Sequence, residues 1–277
     1  MENPLVSIVI TTKDEEKNIA NCLESIKAQS YPNIEIIVVD NNSSDKTKNI
    51  AAQYTPNIFN FGPERSAQRN YGLIQKAKGK YGMFLDADMT ISPDLIKDCV
   101  DFITRNNFVA LHISEIVLGD NFWSRVRRFE RSFYDGTVID GARFFRQDTF
   151  IKVGGFDETM SGPEDWDLDK KFKQIGTIGL VPERNNEAVI FHHEEEFDLK
   201  KYLNKKSYYS ESFAVYINKW GKNDPDIKKQ FGLFYRYFGV FLEDGRWKKF
   251  IFHPSQALGV YFLRVLVGVK FLLAFKI

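Results

Sequence analysis

Hydrophobic positions in the N-terminal part of the chain alternate between two periods. Leu5 to Ile10 is a near-continuous β-branched run that stops at Thr11-Thr12-Lys13, the pattern of a strand buried on both faces in a parallel sheet. Ile19, Cys22, Leu23 and Ile26 then recur at helical spacing, with Asp14 as a cap, until Tyr31-Pro32-Asn33 breaks the pattern. Ile34 to Val39 predicts a second strand ending at Asp40, and a helix containing Ile50, Ala51 and Tyr54 starts at Ser44 or Asp45. The rhythm repeats with a short strand over Asn57 to Phe61, a helix over Ser66 to Lys78 and a strand over Tyr81 to Leu85 ending at Asp86. Ser92-Pro93-Asp94 then opens a helix through Ile103, with proline at its first position. Strands alternating with helices imply βαβ units, and such sheets bind ligands at the carboxyl ends of their strands. Asp40, Asp86 and Asp88 fall at those ends.

Past Asn107 the pattern is less regular. A strand is expected over Phe108 to Val117, an aromatic, arginine-rich helix over Phe122 to Phe133, and a strand over Val138 to Arg146. A helix over Pro163 to Ile175, a short strand over Ala188 to Phe191 and a polar helix from Leu199 to Lys219 follow. The 277 residues suffice for one large α/β domain with an appendage. We divide the chain into an α/β domain over 1–195 and a helical extension over 196–277.

Charge narrows the partners. With 38 Lys+Arg against 37 Asp+Glu, no global basic field argues for nucleic acid. Two cysteines, Cys22 and Cys99, both on predicted helices, suit a reducing, cytoplasmic compartment better than a disulfide-built fold. Met1-Glu2-Asn3-Pro4 leads into an apolar run of only about six residues, too short for a secretory signal. No segment reaches the roughly 18 consecutive apolar residues of a membrane span.

The strongest chemical signal is Phe84-Leu85-Asp86-Ala87-Asp88, two carboxylates at i and i+2 where an apolar strand ends. On extended backbone both face one side, where they could hold a hard divalent cation that keeps coordination sites for substrate phosphates. The bland alternative is a polar turn, which also favours Asp. His192-His193 follows another predicted strand, and a neutral His192 imidazole would complete a metal sphere or contact a diphosphate, unless it is merely structural. Neither a GxGxxG nor a Walker sequence occurs, so phosphates must rely on metal and side chains.

In order and spacing the chain resembles the family 2 glycosyltransferases of the GT-A fold. The matching segments are Val6-Ser7-Ile8-Val9-Ile10-Thr11-Thr12-Lys13-Asp14-Glu15, Ile36-Ile37-Val38-Val39-Asp40-Asn41-Asn42-Ser43-Ser44-Asp45, Ala67-Gln68-Arg69-Asn70-Tyr71-Gly72 and the Asp86-Ala87-Asp88 element. Gly154-Gly155-Phe156-Asp157-Glu158 and Gly162-Pro163-Glu164-Asp165-Trp166-Asp167-Leu168 complete the set. The resemblance implies a Rossmann-like α/β sheet and transfer of a sugar from a nucleotide-diphospho-sugar with Mg²⁺ or Mn²⁺. It further implies that Thr11, Glu15 and Asp40 line the nucleotide pocket, that Asp86 faces the ribose and that Asp88 holds the metal, with Asp86 and His192 as further ligands. Arg65 and Arg69 become partners for the phosphates or for Asp86, since guanidinium forks match anionic oxygens. Glu164-Asp165 resembles the acidic pair of the catalytic half, with Asp165 as general base for inverting transfer. Unaided, Asp40 also reads as a turn residue, Arg65 as part of a solvated helix face, and Glu164 and Asp165 as acids favoured by a helix N-terminus.

The Gln-x-x-Arg-Trp element of processive members is absent, although Glu243-Asp244-Gly245-Arg246-Trp247 ends similarly. We therefore expect one sugar to be added to a glycan or lipid-linked saccharide of the cell envelope. Arg125, Arg127, Arg128 and Arg131 among Phe122, Trp123, Phe129, Phe133 and Tyr134 suit either anionic headgroups or a helix packed on protein with its arginines in water. In the tail, Ala257 to Ile277 is apolar apart from Arg264, Lys270 and Lys276, spaced so as to spread around a helix. We expect peripheral attachment to the inner membrane face, the alternative being a tail docked on protein. A nucleotidyltransferase is disfavoured by the missing basic, glycine-rich loop. A non-catalytic nucleotide-sugar binder or membrane adaptor with the same fold is the rival from another class.

Overall fold

The computed structural model describes residues 3–183, 187–194 and 197–274, with side chains up to residue 270. Chain contacts divide it into two units: Met1–Glu115 with Gly141–Glu158 and Glu164–His192, and Ile116–Asp140 with Thr159–Pro163 and His193–Ile277. The division crosses the sequence several times instead of once, and the boundary expected at 195 lies outside the described residues.

The elements run β1 (Val6–Thr12), α1 (Ile19–Lys27), β2 (Ile34–Asp40), α2 (Thr47–Ala51), β3 (Ile58–Asn60), α3 (Arg65–Asn70), β4 (Tyr81–Asp86), β5 (Met89–Ile91) and α4 (Leu95–Asn106). They continue as β6 (Ala110–His112), β7 (Glu115–Leu118), α5 (Phe122–Arg131), β8 (Phe144–Arg146), α6 (Gln147–Lys152), α7 (Glu164–Lys173), β9 (Ile178–Leu180) and β10 (Ile190–His193). The remainder is helical: α8 (Leu199–Ser210), α9 (Phe213–Trp220), α10 (Pro225–Phe231), α11 (Val240–Leu242), α12 (Lys248–Phe252) and α13 (Pro254–Ala274).

The first unit is built on a seven-stranded sheet in the order β3-β2-β1-β4-β8-β6-β9. Parallel pairing joins β1 to β2 and β4, β2 to β3 and β6 to β9, while β8 runs antiparallel between β4 and β6. Strand β1 is buried along its whole length, as its unbroken apolar run requires. Val6, Ile8 and Ile10 pack with Leu23 and Ile26 of α1 and with Met83 and Leu85, while Val9 faces Leu73, Phe84, Phe150 and Phe172 on the other side. Helix α3 passes into a π-helical turn over Tyr71–Lys76. There Gly72 lies so close to the sheet that a Cβ would come within 2.5 Å of Val9 Cγ1. Register pairs Thr12 with Asp40 and Thr11 with Asp86, so the carboxyl ends of β1, β2 and β4 lie together as expected.

Several local expectations differ. Asp14 does not cap α1: it has φ +52°, and its carboxylate accepts from Ser44 N at 2.8 Å, tying the β1 loop to the β2 loop. Ser92 does not cap α4, because its hydroxyl accepts from Val189 N. Helix α2 stops before Tyr54, the strand expected over Phe108 to Val117 is broken at Ile113-Ser114, and only Phe144–Arg146 of the stretch from Val138 is strand. The polar helix after Leu199 is two helices, with Ser212 Oγ accepting from Ser161 N at the break.

In the second unit α13 packs on α5 and α8. Phe133, Phe241, Phe250 and Tyr261 form an aromatic core with edge-to-face contacts. The arginines of α5 turn out to be internal ties: Arg127 pairs with Glu130 at 2.7 Å and Glu194 at 3.4 Å, and Arg131 with Asp140 at 2.8 Å. Arg128 donates to the carbonyls of Val117 and Gly119. Neither the headgroup reading nor the solvated-face reading describes these three, although Arg125 is exposed. Arg246 donates to the carbonyls of Phe133 and Asp135, both at 2.8 Å, which gives the Arg246-Trp247 pair a structural role. Arg264 is buried, with Nε 3.1 Å from Glu130, Nη2 3.0 Å from Tyr134 Oη and its guanidinium over Phe241. Burial alone would raise the Glu130 carboxyl, but Arg264 and Arg127 outweigh it and hold the group at about 2. Thus the tail docks on protein through its central charge. Lys276 lies outside the described residues, among which no helix is long and apolar enough to cross a membrane.

Candidate active site

At the carboxyl ends of β1 and β4 a buried guanidinium organises three carboxylates. Arg69, on α3, is 1 % exposed. Its Nη2 binds Asp86 Oδ1 at 2.9 Å, and its Nη1 lies 3.2 Å from Asp165 Oδ1 and 3.7 Å from Glu164 Oε1. The guanidinium lies over the Phe84 ring at 4.3 Å, with the edge-to-face Phe156 ring at 5.3 Å, contacts that suit its planar, delocalised charge. Arg65, half-buried, bridges Asp86 at 3.7 Å and Glu164 at 3.5 Å. Burial would raise the Asp86 carboxyl, but Arg69, Arg65 and Arg143 override it and hold the group far below the usual carboxylate range. Glu164 goes the other way: burial, reinforced by neighbouring Asp165, raises it despite Arg69 and Arg65.

Both acids sit in the first turn of α7, where the helix dipole favours negative charge, but their surroundings differ. Glu164 is 3 % exposed and locked against the two arginines, whereas Asp165 is 27 % exposed. Gly141 leaves room for it, since a Cβ there would come within 2.8 Å of Asp165 Cβ. Asp165 is thus the more accessible of the two, and Glu164 the one held against Arg65 and Arg69.

The second cluster centres on His192. Its Nε2 lies 3.2 Å from Asp88 Oδ2 and its Nδ1 3.0 Å from Glu115 Oε1. Burial lowers the imidazolium pKa, but hydrogen bonds to the two carboxylates more than reverse this and lift it to about 10. Asp88 Oδ1 is buried without a hydrogen-bond partner among the described residues. Ala87 and Asp88 form a turn between β4 and β5, so the extended backbone that would aim Asp86 and Asp88 at one cation is not present. Asp86 is instead held by Arg69 and Arg65. Among the described residues no group of three or more His, Cys, Asp or Glu is arranged to hold a metal; the set of Asp86, Asp88 and His192 is therefore not preassembled, and Asp88 with His192 is the pair that comes together.

At the end of β1, Thr11 Oγ1 reaches Asp86 Oδ1 at 3.4 Å, and Thr12 Oγ1 is buried without a partner among the described residues. Glu15 is tied to Asn18 at 2.7 Å, and burial, with contributions from Asp88, Asp86 and Asp45, raises its pKa. Asp40 is fully buried and accepts from Ser43 N at 2.7 Å and Ser43 Oγ at 2.5 Å. These bonds shape the loop after β2. Two residues that sequence reasoning missed belong here. Glu115 orients His192, and Arg143 stacks over Phe84 at 4.9 Å and reaches Glu115 at 3.6 Å. Glu115 opens the short strand β7 and Arg143 immediately precedes β8, and no motif marks either.

Comparisons with known proteins bear on the family and the fold. The Glycosyl transferase family 2 model matches residues 7–157. An uncharacterized glycosyltransferase of Rickettsia typhi is 29 % identical over 194 residues, covering 64 % of this chain and 61 % of that protein. A beta-monoglucosyldiacylglycerol synthase of Trichormus variabilis is 27 % identical over 195 residues, covering 61 % of this chain and 41 % of that protein. The chain thus spans less than two thirds of these relatives. Among solved structures, a mannosyltransferase of Pyrobaculum calidifontis in complex with GDP-Man and Mn²⁺ has a TM-score of 0.64 at 18 % identity, covering 99 % of this chain and 86 % of that one. Residues 1–349 of S. aureus TarS in complex with UDP-GlcNAc give 0.57 at 18 % identity, covering 92 % and 79 %. The seven-stranded, mostly parallel sheet with its C-terminal helices is the fold these structures share. Because the family model covers more than half of the chain and runs through the strands that carry Thr11, Asp40 and Asp86, the protein belongs to glycosyl transferase family 2.

Proposed function

We propose that the protein is an inverting, metal-dependent glycosyltransferase. It moves a sugar from a nucleotide-diphospho-sugar to a hydroxyl of a glycan or lipid-linked saccharide of the cell envelope. The observation that carries the reading is the buried, unpartnered Asp88 Oδ1 beside His192 at the strand ends. A lone buried carboxylate oxygen is costly unless something else satisfies it. Asp88 and the neutral form of His192 would hold Mg²⁺ or Mn²⁺, with donor phosphates and water completing the sphere. Bound there, the ion supplies Lewis-acid neutralisation of charge on the departing diphosphate.

The chain's own residues supply the remaining roles. Thr11 and Glu15 border the nucleotide pocket whose loop Asp40 shapes, and Asp86, braced by Arg69 and Arg65, accepts from the ribose. Asp165 takes the acceptor hydroxyl proton as the acceptor oxygen bonds to the anomeric carbon and the bond to the diphosphate oxygen breaks. The donor class is supported by the ligands of the mannosyltransferase and of TarS, and a lipid-linked acceptor by the glycolipid synthase among the relatives. In this reading residues 1–195 carry the chemistry, and 196–277 form a helical extension with a membrane-associated tail. A lipid-linked acceptor is met at a membrane surface, so the reading includes peripheral contact with its cytoplasmic face.

Incubation with UDP-Glc, UDP-GlcNAc or GDP-Man and an envelope glycolipid extract tests the stereochemistry. These donors are α-linked, and NMR of the product should report a β linkage. An α linkage would rule out the single-displacement role given to Asp165.

A further inference from the structure

The charge that the tail sequence spreads around α13 is gathered inward by the fold. Ala257, Val260, Leu263 and Arg264 are buried, and Arg264 is consumed by Glu130 and Tyr134. On the outer side Leu258, Phe262, Val265 and Val269 follow at helical spacing and are 73, 50, 53 and 49 % exposed, an apolar stripe with no charge within it. The stripe continues through Tyr261, whose ring lies 6.5 Å from that of Phe238, which in turn lies 5.9 Å from that of Phe234. Phe252, just before α13, is 77 % exposed. A helix apolar on both faces is ordinarily covered on both, and an exposed surface of this kind marks an interaction site.

Charge identifies the cover. From Gly245 to the C-terminus there is no Asp or Glu. Arg246, Lys249 and Arg264 bond inward to Phe133, Ser132 and Glu130, and exposed Lys248 and half-buried Lys270 are the remaining lysines of this stretch among the described residues. A second copy packed face to face would bring like charges together, whereas an anionic bilayer meets apolar side chains with acyl chains and lysines with headgroups. We propose that the outer face of α13, with Phe234, Phe238 and Phe252, is a monotopic docking surface for a bilayer containing anionic lipids. This rests on the membrane contact proposed above and specifies the residues and the lipid chemistry that make it.

Flotation of the full chain with vesicles of phosphatidylcholine alone, or mixed with phosphatidylglycerol, tests it. Wild type should float with the anionic vesicles and much less with the neutral ones. The combined exposed substitutions Phe252→Ser, Leu258→Ser, Val265→Ser and Val269→Ser should reduce partitioning by about tenfold or more, with unchanged Tm and unchanged nucleotide binding. Lys248→Glu should weaken binding to anionic vesicles only. The surface assignment is overturned if wild type fails to float, if the quadruple variant floats equally well, or if the face proves to drive a lipid-independent dimer. Loss of nucleotide binding with flotation intact would instead remove the donor-site reading and leave the surface standing.

Discussion

Arg69→Ala is expected to cost the fold about 3–5 kcal/mol, the usual penalty for removing one partner of a buried ionic cluster. The guanidinium is 1 % exposed and is within reach of Asp86, Glu164 and Asp165. Its removal takes away one of the two guanidinium groups that offset the burial of Glu164, whose carboxyl is already raised by burial and by Asp165. For a chain of this size the loss corresponds to a fall in Tm on the order of 10 °C. Arg69→Lys should fall between wild type and Arg69→Ala, since an ammonium keeps the charge but lacks the fork and the planar surface that lies over Phe84. Differential scanning calorimetry of both variants measures this. A Tm for Arg69→Ala within about 2 °C of wild type would mean that the cluster does not organise the site.

Asp165→Asn should lower kcat by about 10²–10⁴, the contribution of a general base, while donor affinity and Tm stay near wild type. Its partial exposure and its place beside the space left by Gly141 distinguish it from Glu164. Glu164→Gln should chiefly loosen Arg65 and Arg69 and so show itself in stability and donor KM. Steady-state kinetics with donor titrations separate the two. Full activity in Asp165→Asn would move the proton acceptor elsewhere.

What the sequence made legible follows from how local each signal is. The β1–β4 half could be read because Leu5 to Ile10 and Tyr81 to Leu85 are core strands whose apolar runs admit few alternatives. The strands after Asn107 are three or four residues long, too short for a period to declare itself, and their pairing is set by distant partners such as β8 between β4 and β6. In the site, the acidic positions at strand ends were readable, but their division of labour was not. The pairing of Arg69 with Asp86 is one of the two partners the resemblance offered for that arginine, whereas the turn at Ala87-Asp88 that sets Asp88 against His192 leaves no trace in the spacing. Likewise the tail reads as evenly charged until Glu130, far away in sequence, draws Arg264 inside.

The most direct test of the donor site is calorimetric titration of UDP, GDP, CDP, ADP and dTDP into wild type and Asp88→Ala, each with and without Mn²⁺. One nucleotide should bind wild type, Mn²⁺ should tighten it, and Asp88→Ala should abolish the metal effect while remaining folded. Equal binding with and without Mn²⁺ in both proteins, or no nucleotide bound under any condition, would contradict the donor-site reading.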